Sequence, residues 1–290
     1  MQSDQAQAEH GEAVGEGRAF APGSMTLTAG RDKSGRPEAG DVVFRSGEIT
    51  ALLGPTGSGK SRFLADIESL ACGDTPTGRT LLLDGRAPDA DERFALQGRL
   101  VAQLTQNMNF VLDMNVYDFV RTHAMSREVD DPDEAARRVL EAANALAGEP
   151  FAPAAQLTQL SGGQSRALMI ADTALLSWSP VLLIDEIENA GVDKRRALDL
   201  LLASDKIIVM ATHDPVLALS ADRRLVFGHG AVQLVQARTG EEEAVLARLG
   251  EMEQEISRVR GLLRAGVAVR SRPFSHALAW PAPGPELAAP

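Results

Sequence analysis

Short apolar runs, each bounded by glycine or charged residues, recur along the chain. They are GEITALLG at 47–54, RTLLLDG at 79–85, RLVAQLT at 99–105, VLLIDE at 181–186, KIIVMAT at 206–212 and RRLVFGHG at 223–230. Runs of this length predict strands buried on both faces, as in a parallel sheet. Stretches of helical character separate them, so we predict an α/β fold with a mostly parallel sheet.

The stretch from about 107 to 175 has few strand-like runs. Within it, residues 131–148 predict a helix, because Asp131 can cap the first turn and Pro132 suits the first helical position. Gly148 marks the end of that helix. We therefore expect a helical subdomain inserted into the sheet domain.

A second helical pattern lies at residues 241–266, where six apolar residues follow one another at alternating steps of four and three. This is the spacing of a heptad seam, but it covers fewer than three heptads, which is too short to favour a coiled coil. We favour a helix that packs on its own domain or on a second copy; the alternative is a docking helix for another protein. The six residues are Val245, Leu249, Met252, Ile256, Val259 and Leu263.

The two ends of the chain lack such patterns. Residues 1–23 are polar and aperiodic, and residues 267–290 are rich in proline and alanine. Both compositions are typical of disordered tails. Between them we place a main domain at 24–235 and a C-terminal helical extension at 236–266.

Composition narrows the class of protein. Forty acidic residues against 29 basic ones give a net charge of −11, so we expect no nucleic-acid partner, which would need a basic face. The chain has no apolar run near the roughly 18 residues that span a bilayer, and its first residues lack the regions of a signal peptide. We therefore expect a cytoplasmic protein. Its single cysteine, Cys72, excludes an internal disulfide.

The most specific local motif is GPTGSGKS at 54–61, directly after a predicted strand. It matches the phosphate-binding loop, in which glycine backbone N–H groups close around phosphate oxygens. In such a loop, Lys60 reaches the β- and γ-phosphates and Ser61 binds Mg²⁺. The predicted ATP-binding residues are Gly54, Pro55, Thr56, Gly57, Ser58, Gly59, Lys60, Ser61 and Arg62.

Asp185 and Glu186 end another predicted strand. Nucleotide hydrolysis needs an anionic partner for the metal ion and a base that orients the attacking water. An acid pair beside the phosphate loop can supply both. We predict that Asp185 serves the metal and that Glu186 is the base.

A third motif, LSGGQ at 160–164, precedes the Asp-Glu strand by about twenty residues. Together with the loop at 54–61, this order resembles the ATP-binding cassette (ABC) ATPases over roughly residues 24–235. The resemblance implies a P-loop NTPase core of ABC type, with an antiparallel β edge and an inserted helical subdomain. It also implies a head-to-tail dimer in which the signature of one subunit binds the γ-phosphate held by the other. The residues that would act in trans are Ser161, Gly162, Gly163, Gln164 and Asp193.

Two further landmarks of the family can be placed. Gln106 is similar to the glutamine that contacts Mg²⁺ and couples to a partner, with Gln103 as the second choice. His213, after the run at 206–212, is similar to the switch histidine that contacts the γ-phosphate. The resemblance therefore implies Lys60, Gln106, Glu186 and His213 as catalytic residues, and Ser61, Gln106 and Asp185 as the Mg²⁺ residues.

The sequence also departs from the family pattern. Ile187 and the ENAG run after it replace the residues usual in the loop that leads to the dimer interface. Asp172 stands where transporter cassettes often have arginine. The usual aromatic residue that stacks on adenine is absent, so Arg31 or Phe20 would have to take that role.

The resemblance implies ATP hydrolysis coupled to work on a partner. We favour the ATP-binding subunit of a membrane transporter of importer type, peripheral at the inner face of the membrane through a permease subunit. The alternative is a soluble ABC ATPase that remodels or activates a macromolecule such as a metalloenzyme. Either would work as a homodimer or with a paired cassette subunit. A regulator without turnover is disfavoured because Lys60, Glu186 and His213 are all present.

Overall fold

A computed structural model describes residues 21–105, 110–185 and 191–267 of the chain. The strands, in chain order, are β1 Ser24–Leu27, β2 Val42–Arg45, β3 Ile49–Leu53, β4 Leu81–Leu83, β5 Val101–Leu104, β6 Val181–Asp185, β7 Ile207–Ala211, β8 Arg223–Gly228 and β9 Ala231–Ala237. The helices are α1 Lys60–Glu68, α2 Ala90–Leu96, α3 Val116–Ser126, α4 Pro132–Leu146, α5 Gly162–Leu176, α6 Lys194–Leu202, α7 Pro215–Ser220 and α8 Gly240–Arg264, with a 3-10 turn at Leu157–Gln159. Each of the six apolar runs contains a strand, as predicted.

Six strands form the main sheet in the order β5-β6-β7-β3-β8-β9. The first five are parallel to one another, and β9 pairs antiparallel with β8 at one edge. The carboxyl ends of the parallel strands therefore lie along a single edge, where the loops that follow them meet. The predicted mostly parallel α/β fold with an antiparallel β edge is confirmed.

A smaller antiparallel sheet, in the order β2-β1-β4, packs on the main sheet through helix α1. The core here holds Phe63 of α1, whose ring meets that of Phe227 edge-on at 5.1 Å between centroids and that of Phe44 at 6.2 Å. All three are buried. Because α1 is fixed between both sheets, the loop that leads into it from β3 has a rigid support.

Helices α3, α4 and α5 pack together in the stretch where a helical subdomain was expected. Asp131 caps α4 by accepting a hydrogen bond from the Glu134 N–H, and Pro132 is its first residue, so this predicted helix is confirmed. Buried alanines on α4 and α5 allow these helices to approach closely. Asp172 of α5 is buried and lies 2.9 Å from Nδ1 of His123 on α3, which gives its carboxylate a partner inside the helical region.

The chain divides into two compact units, with the boundary after Gly240. In the second unit, α8 runs on to Arg264 and carries all six predicted seam residues. None of its residues is buried, and Ile256 and Leu263 are exposed. Strand β9 extends to Ala237, two residues beyond the domain limit we placed at 235. Among the described residues, no helix is both long enough and apolar enough to span a membrane.

Candidate active site

The loop between β3 and α1 has a backbone that two of its glycines make possible. Gly54 has φ of +142° and Gly59 has φ of +114°, values that side-chain-bearing residues rarely adopt. A Cβ atom on Gly54 would lie 2.6 Å from the carbonyl oxygen of Phe227, and one on Gly59 would lie 2.8 Å from Cα of Gly230. The β8–β9 hairpin thus lies in direct contact with the loop, which leaves no room for a side chain at Gly54 or Gly59.

Lys60, the first residue of α1, folds back over this loop. Its ammonium donates to the carbonyl oxygens of Gly54 at 2.6 Å and Pro55 at 3.3 Å, and the residue is 8% exposed. Among the described residues Lys60 takes part in no ion pair, so its charge is available to an anion. The residue before it, Gly59, has no side chain to cap the helix, so first-turn N–H groups of α1 face the same space. The residues exposed around Lys60 are Pro55, Thr56 and Gly57 before it and Ser61 and Arg62 after it.

Lys33, which the sequence analysis did not single out, contacts the same loop. Its ammonium donates to the carbonyl oxygen of Gly57 at 2.8 Å, and its backbone N–H donates to the carbonyl of His229 at 3.0 Å. The N–H of Gly230 in turn donates to the carbonyl of Ser58 at 2.8 Å. The β1–β2 loop and the β8–β9 hairpin are therefore both hydrogen-bonded to the backbone of the phosphate loop.

A buried ion-pair network lies behind the loop. Arg79 donates to Glu38 at 2.6 Å and to Asp66 of α1 at 2.9 Å, and all three side chains are 3% exposed or less. Glu38 also accepts from the N–H groups of Gly30 at 2.7 Å and Val232 at 2.8 Å. Burial raises the pKa of Glu38, but these hydrogen bonds outweigh it, so the pKa lies below its usual value of 4.5. The network ties the β1–β2 loop, α1 and β9 together.

The sheet register brings Asp185 to the edge that carries the phosphate loop. Asp185 is the last residue of β6 and pairs with Ala211 on β7, which pairs with Leu52 on β3. Gly54 begins the loop two residues after Leu52. Two strand spacings separate β6 from β3, which puts the backbones about 10 Å apart. Side chains of Asp185 and of the loop can therefore point into one space.

His213 follows the end of β7, the strand that lies between β6 and β3. Its neighbour Thr212 is buried and donates through its N–H to the carbonyl of Leu52 at 3.4 Å. Asp214, on the other side, donates through its N–H to Oγ1 of Thr212 at 3.0 Å. The backbone around His213 is thus held beside the phosphate loop, while the histidine itself is exposed.

Some of the predicted site residues cannot be placed, and two alternatives to them can. Gln106, Glu186 and Ile187 lie outside the described residues, as does Phe20. Gln103, the second choice for the coupling glutamine, lies on β5 and is exposed. The guanidinium of Arg31, one candidate for adenine stacking, donates to the carbonyl of Gly35 in its own loop at 3.2 Å.

The LSGGQ residues form the start of α5. Ser161 caps the helix in a reciprocal arrangement: its N–H donates to Oε1 of Gln164 at 2.9 Å, and the N–H of Gln164 donates to Oγ of Ser161 at 3.3 Å. Ser161 and Gly162 are exposed, and an added Cβ on Gly162 would meet no atom within 4 Å. The helix start is therefore an open surface with Gly163 inside the first turn. Asp193, also exposed, caps α6 through a single hydrogen bond, which its Oδ1 accepts from the N–H of Arg196 at 3.1 Å.

Comparison with known proteins decides the family. The family model described as "ABC transporter" matches residues 40–189, which include the phosphate loop, LSGGQ and Asp185. The chain belongs to the ABC family. It is an ABC-type ATPase, since cassettes of this family bind and hydrolyse ATP, and the predicted family and activity are confirmed.

Two relatives of this ABC cassette are named as ATP-binding proteins, and another is named as an ATP-binding/permease protein. An uncharacterized ABC transporter ATP-binding protein of Methanocaldococcus jannaschii is 46% identical over 243 residues, 83% of this chain and 93% of the relative. The macrolide export ATP-binding/permease protein MacB of Rhodopseudomonas palustris is 29% identical over 253 residues, 84% of this chain but 36% of MacB. The cassette thus spans about a third of MacB. The lipoprotein-releasing system ATP-binding protein LolD of Bordetella avium is 29% identical over 202 residues, 65% of this chain and 84% of LolD.

Solved structures agree on the fold of the ABC cassette. A dimeric ATP-binding cassette in a post-hydrolysis state, bound to ADP and Pi, superposes with a TM-score of 0.57. It is 23% identical, and the match covers 74% of this chain and 99% of that one. At this identity the likeness shows the fold, which is the P-loop NTPase arrangement that the motifs predicted.

Proposed function

We propose that the cassette binds MgATP at residues 54–62 and hydrolyses it in a composite site shared with a second cassette. The observation that carries this proposal is the Lys60 ammonium, which is held over the glycine loop at the start of α1. Asp185 ends β6 and His213 follows β7, at the same edge of the sheet. Lys60 would neutralise β- and γ-phosphate oxygens. Backbone N–H groups between Gly54 and Arg62, except at Pro55, which has none, would surround the phosphates.

The residues present fit a magnesium ion held together with the nucleotide. Mg²⁺ usually keeps several waters and takes one or two protein oxygens plus phosphate oxygens. The Ser61 hydroxyl is exposed at the loop, and the Asp185 carboxylate lies at the same sheet edge. Across the described residues, no cluster of three His, Cys, Asp or Glu side chains could hold a metal ion by itself. When bound, the ion would neutralise charge that develops on the phosphates; Ser61, Asp185 and Gln106 would hold it.

For hydrolysis, Glu186 would accept a proton from the attacking water. The water oxygen forms the new bond to the γ-phosphorus, and the bond from that phosphorus to the β–γ bridging oxygen breaks, which leaves ADP and phosphate. His213 would donate a hydrogen bond to a γ-phosphate oxygen from its exposed position after β7. Gln106 would contact the ion and report its presence to a partner.

The second cassette would complete the site. The start of α5 is open at Gly162 and would bind an anion through Ser161, Gly162, Gly163 and Gln164. In a head-to-tail dimer it would meet the γ-phosphate held by the partner. Asp193 would lie at the same interface.

We further propose that this cassette is the ATP-binding subunit of a membrane transporter and is held at the cytoplasmic face of the membrane by a permease. The names of relatives support transport: MacB for macrolide export and LolD for lipoprotein release. A third relative, the sulfate/thiosulfate import ATP-binding protein CysA of Mesostigma viride, is 32% identical over 204 residues, 67% of this chain and 56% of CysA. These names include both directions of transport, so import remains a prediction from the sequence.

Two experiments test this function. Lys60→Ala should abolish tight ATP binding and ATPase activity, whereas Arg258→Ala on the exposed face of α8 should leave both unchanged.

For the partner, tagged Glu186→Gln is expressed in its native host and purified from whole-cell extract in mild detergent with ATP, with Lys60→Ala as the matched control. Co-purifying proteins are identified by mass spectrometry. A polytopic membrane protein in near-stoichiometric amount supports the transporter role. A soluble enzyme complex without a permease contradicts it.

A further inference from the structure

A partly buried ion pair joins the segment after Asp193 to the segment after His213. The ammonium of Lys194, the first residue of α6, lies 2.5 Å from Oδ2 of Asp214, which precedes α7. The two side chains are 19% and 14% exposed. Twenty residues separate them in sequence. A pair with this little solvent around it is weakly screened and holds its geometry better than an exposed pair.

Asp214 is held through both of its carboxylate oxygens and its backbone N–H. Its Oδ1 accepts from the N–H groups of Val216 at 2.9 Å and Leu217 at 3.1 Å, which caps α7. Its own N–H donates to Oγ1 of Thr212. One carboxylate oxygen thus holds the helix and the other holds Lys194. Because Thr212 and Asp214 flank His213 directly, the position of Asp214 sets the position of that histidine.

The segment on the lysine side is attached to the helical region. The backbone N–H of Asp193 donates to the carbonyl of Leu146 at 2.9 Å, and the guanidinium of Arg196 donates to the carbonyl of Ala145 at 3.1 Å. Both carbonyls belong to the last turn of α4. A continuous set of polar contacts therefore runs from the end of α4 through residues 193–196 and the Lys194–Asp214 pair to His213.

We propose that Lys194 is a positioning residue that acts on His213 through Asp214. It makes the position of the histidine beside the phosphate loop depend on the segment that carries Asp193 and on the end of α4. A shift of the helical region would then move His213 within the same subunit. This inference rests on the proposed function for its kinetic consequence, but the arrangement of His213 can be measured without turnover.

The kinetic test compares Lys194→Met, which keeps the length and loses the charge, with Lys194→Arg, which keeps the charge. Arg195→Met is the matched control, because it removes a cation at the next, exposed position. We expect Lys194→Met to lower kcat roughly tenfold with KM for ATP changed less than about twofold, and Lys194→Arg to restore most of the rate. In a His213→Ala background, Lys194→Met should cause no further loss, since it acts through the histidine.

A second variant separates the pair from the helix cap. Asp214→Asn keeps an oxygen that can accept from the Val216 and Leu217 N–H groups, but it places an NH₂ group toward Lys194. It should reproduce the effect of Lys194→Met, and the double variant should be no slower than either single one. Thermal unfolding of each variant shows whether the fold is retained.

The spectroscopic test uses the nucleotide-free protein. Imidazole NMR signals of His213 should shift in Lys194→Met and return toward wild type in Lys194→Arg, while those of His123 stay fixed. Unchanged His213 signals together with an unchanged kcat would overturn the proposal, as would an equal additional loss in the His213→Ala background. If the wild type hydrolysed no ATP, the proposed function would fail, and the NMR comparison would still decide the role of Lys194.

Discussion

The ammonium of Lys33 donates a 2.8 Å hydrogen bond to the carbonyl oxygen of Gly57, 24 residues further along the chain. This contact places a cation from the β1–β2 loop on the outer side of the phosphate loop. The carbonyl oxygen of Gly57 therefore points toward Lys33. Lys33 therefore supports the loop and adds positive charge beside the proposed phosphate site.

Replacing Lys33 with methionine should weaken ATP binding while leaving the chemical step nearly unchanged. One hydrogen bond from an exposed charged donor is worth about 1 kcal/mol, which corresponds to a roughly fivefold rise in Kd. Titration calorimetry with ATP measures this directly. Arg36→Met is the control, because Arg36 lies in the same loop and pairs only with the neighbouring Asp32 among the described residues. Equal Kd values for both variants and the wild type would remove Lys33 from the site.

Gly59→Ala should abolish ATP binding even though it adds only one methyl group. The new Cβ would lie 2.8 Å from Cα of Gly230, and alanine is strained at φ of +114°. The β8–β9 hairpin would have to move, which would displace the loop that Lys60 covers. Gly57→Ala is the matched control: its φ of +77° brings backbone strain, but its Cβ would meet no atom within 4 Å. A smaller loss of affinity in Gly57→Ala is expected; equal losses would show that strain alone matters.

The buried network of Arg79, Glu38 and Asp66 should make stability depend on pH in the acidic range. The pKa of Glu38 is lower in the folded protein than its usual 4.5, so folding favours the charged carboxylate. Its contribution to the free energy of unfolding is therefore complete above about pH 4.5 and is lost as the pH falls through the folded-state value. At neutral pH, Glu38→Gln should cost about 3 kcal/mol, because Arg79 then keeps only one buried carboxylate.

Denaturant unfolding of wild type and Glu38→Gln at several pH values checks this. The difference between the two proteins should shrink steadily as the pH is lowered below about 4.5. Glu255→Gln is the control, because Glu255 pairs with Arg258 on the exposed surface of α8. A difference between wild type and Glu38→Gln that stays constant down to low pH would contradict the role of the charged carboxylate.

The sequence was sufficient for the features that depend on local patterns. Apolar runs predicted the buried strands, and Asp131 with Pro132 predicted the start of α4, because strand burial and helix capping are properties of neighbouring residues. The phosphate-binding loop at 54–61 could also be predicted, because its backbone conformation requires glycine at fixed positions.

Contacts between distant parts of the chain could not be predicted. Nothing near Lys33 indicates that it meets Gly57, and nothing near Lys194 indicates Asp214, since each pair forms only after the sheet has ordered its loops. Likewise, Arg79 reads as an ordinary charged residue before a strand, but the small sheet buries it between two carboxylates. The heptad spacing on α8 does not specify what the seam packs against. That it packs on its own domain or on a second copy stays a prediction.

We propose that two cassettes share each ATP, with Lys60 holding the phosphates and the start of α5 of the other subunit closing the site. Sedimentation velocity of Glu186→Gln with and without saturating ATP tests it most directly, because slow hydrolysis should preserve the closed state. We predict an ATP-dependent dimer that is lost when Lys60→Ala is added. A protein that binds ATP and stays monomeric at saturating nucleotide would contradict the composite site.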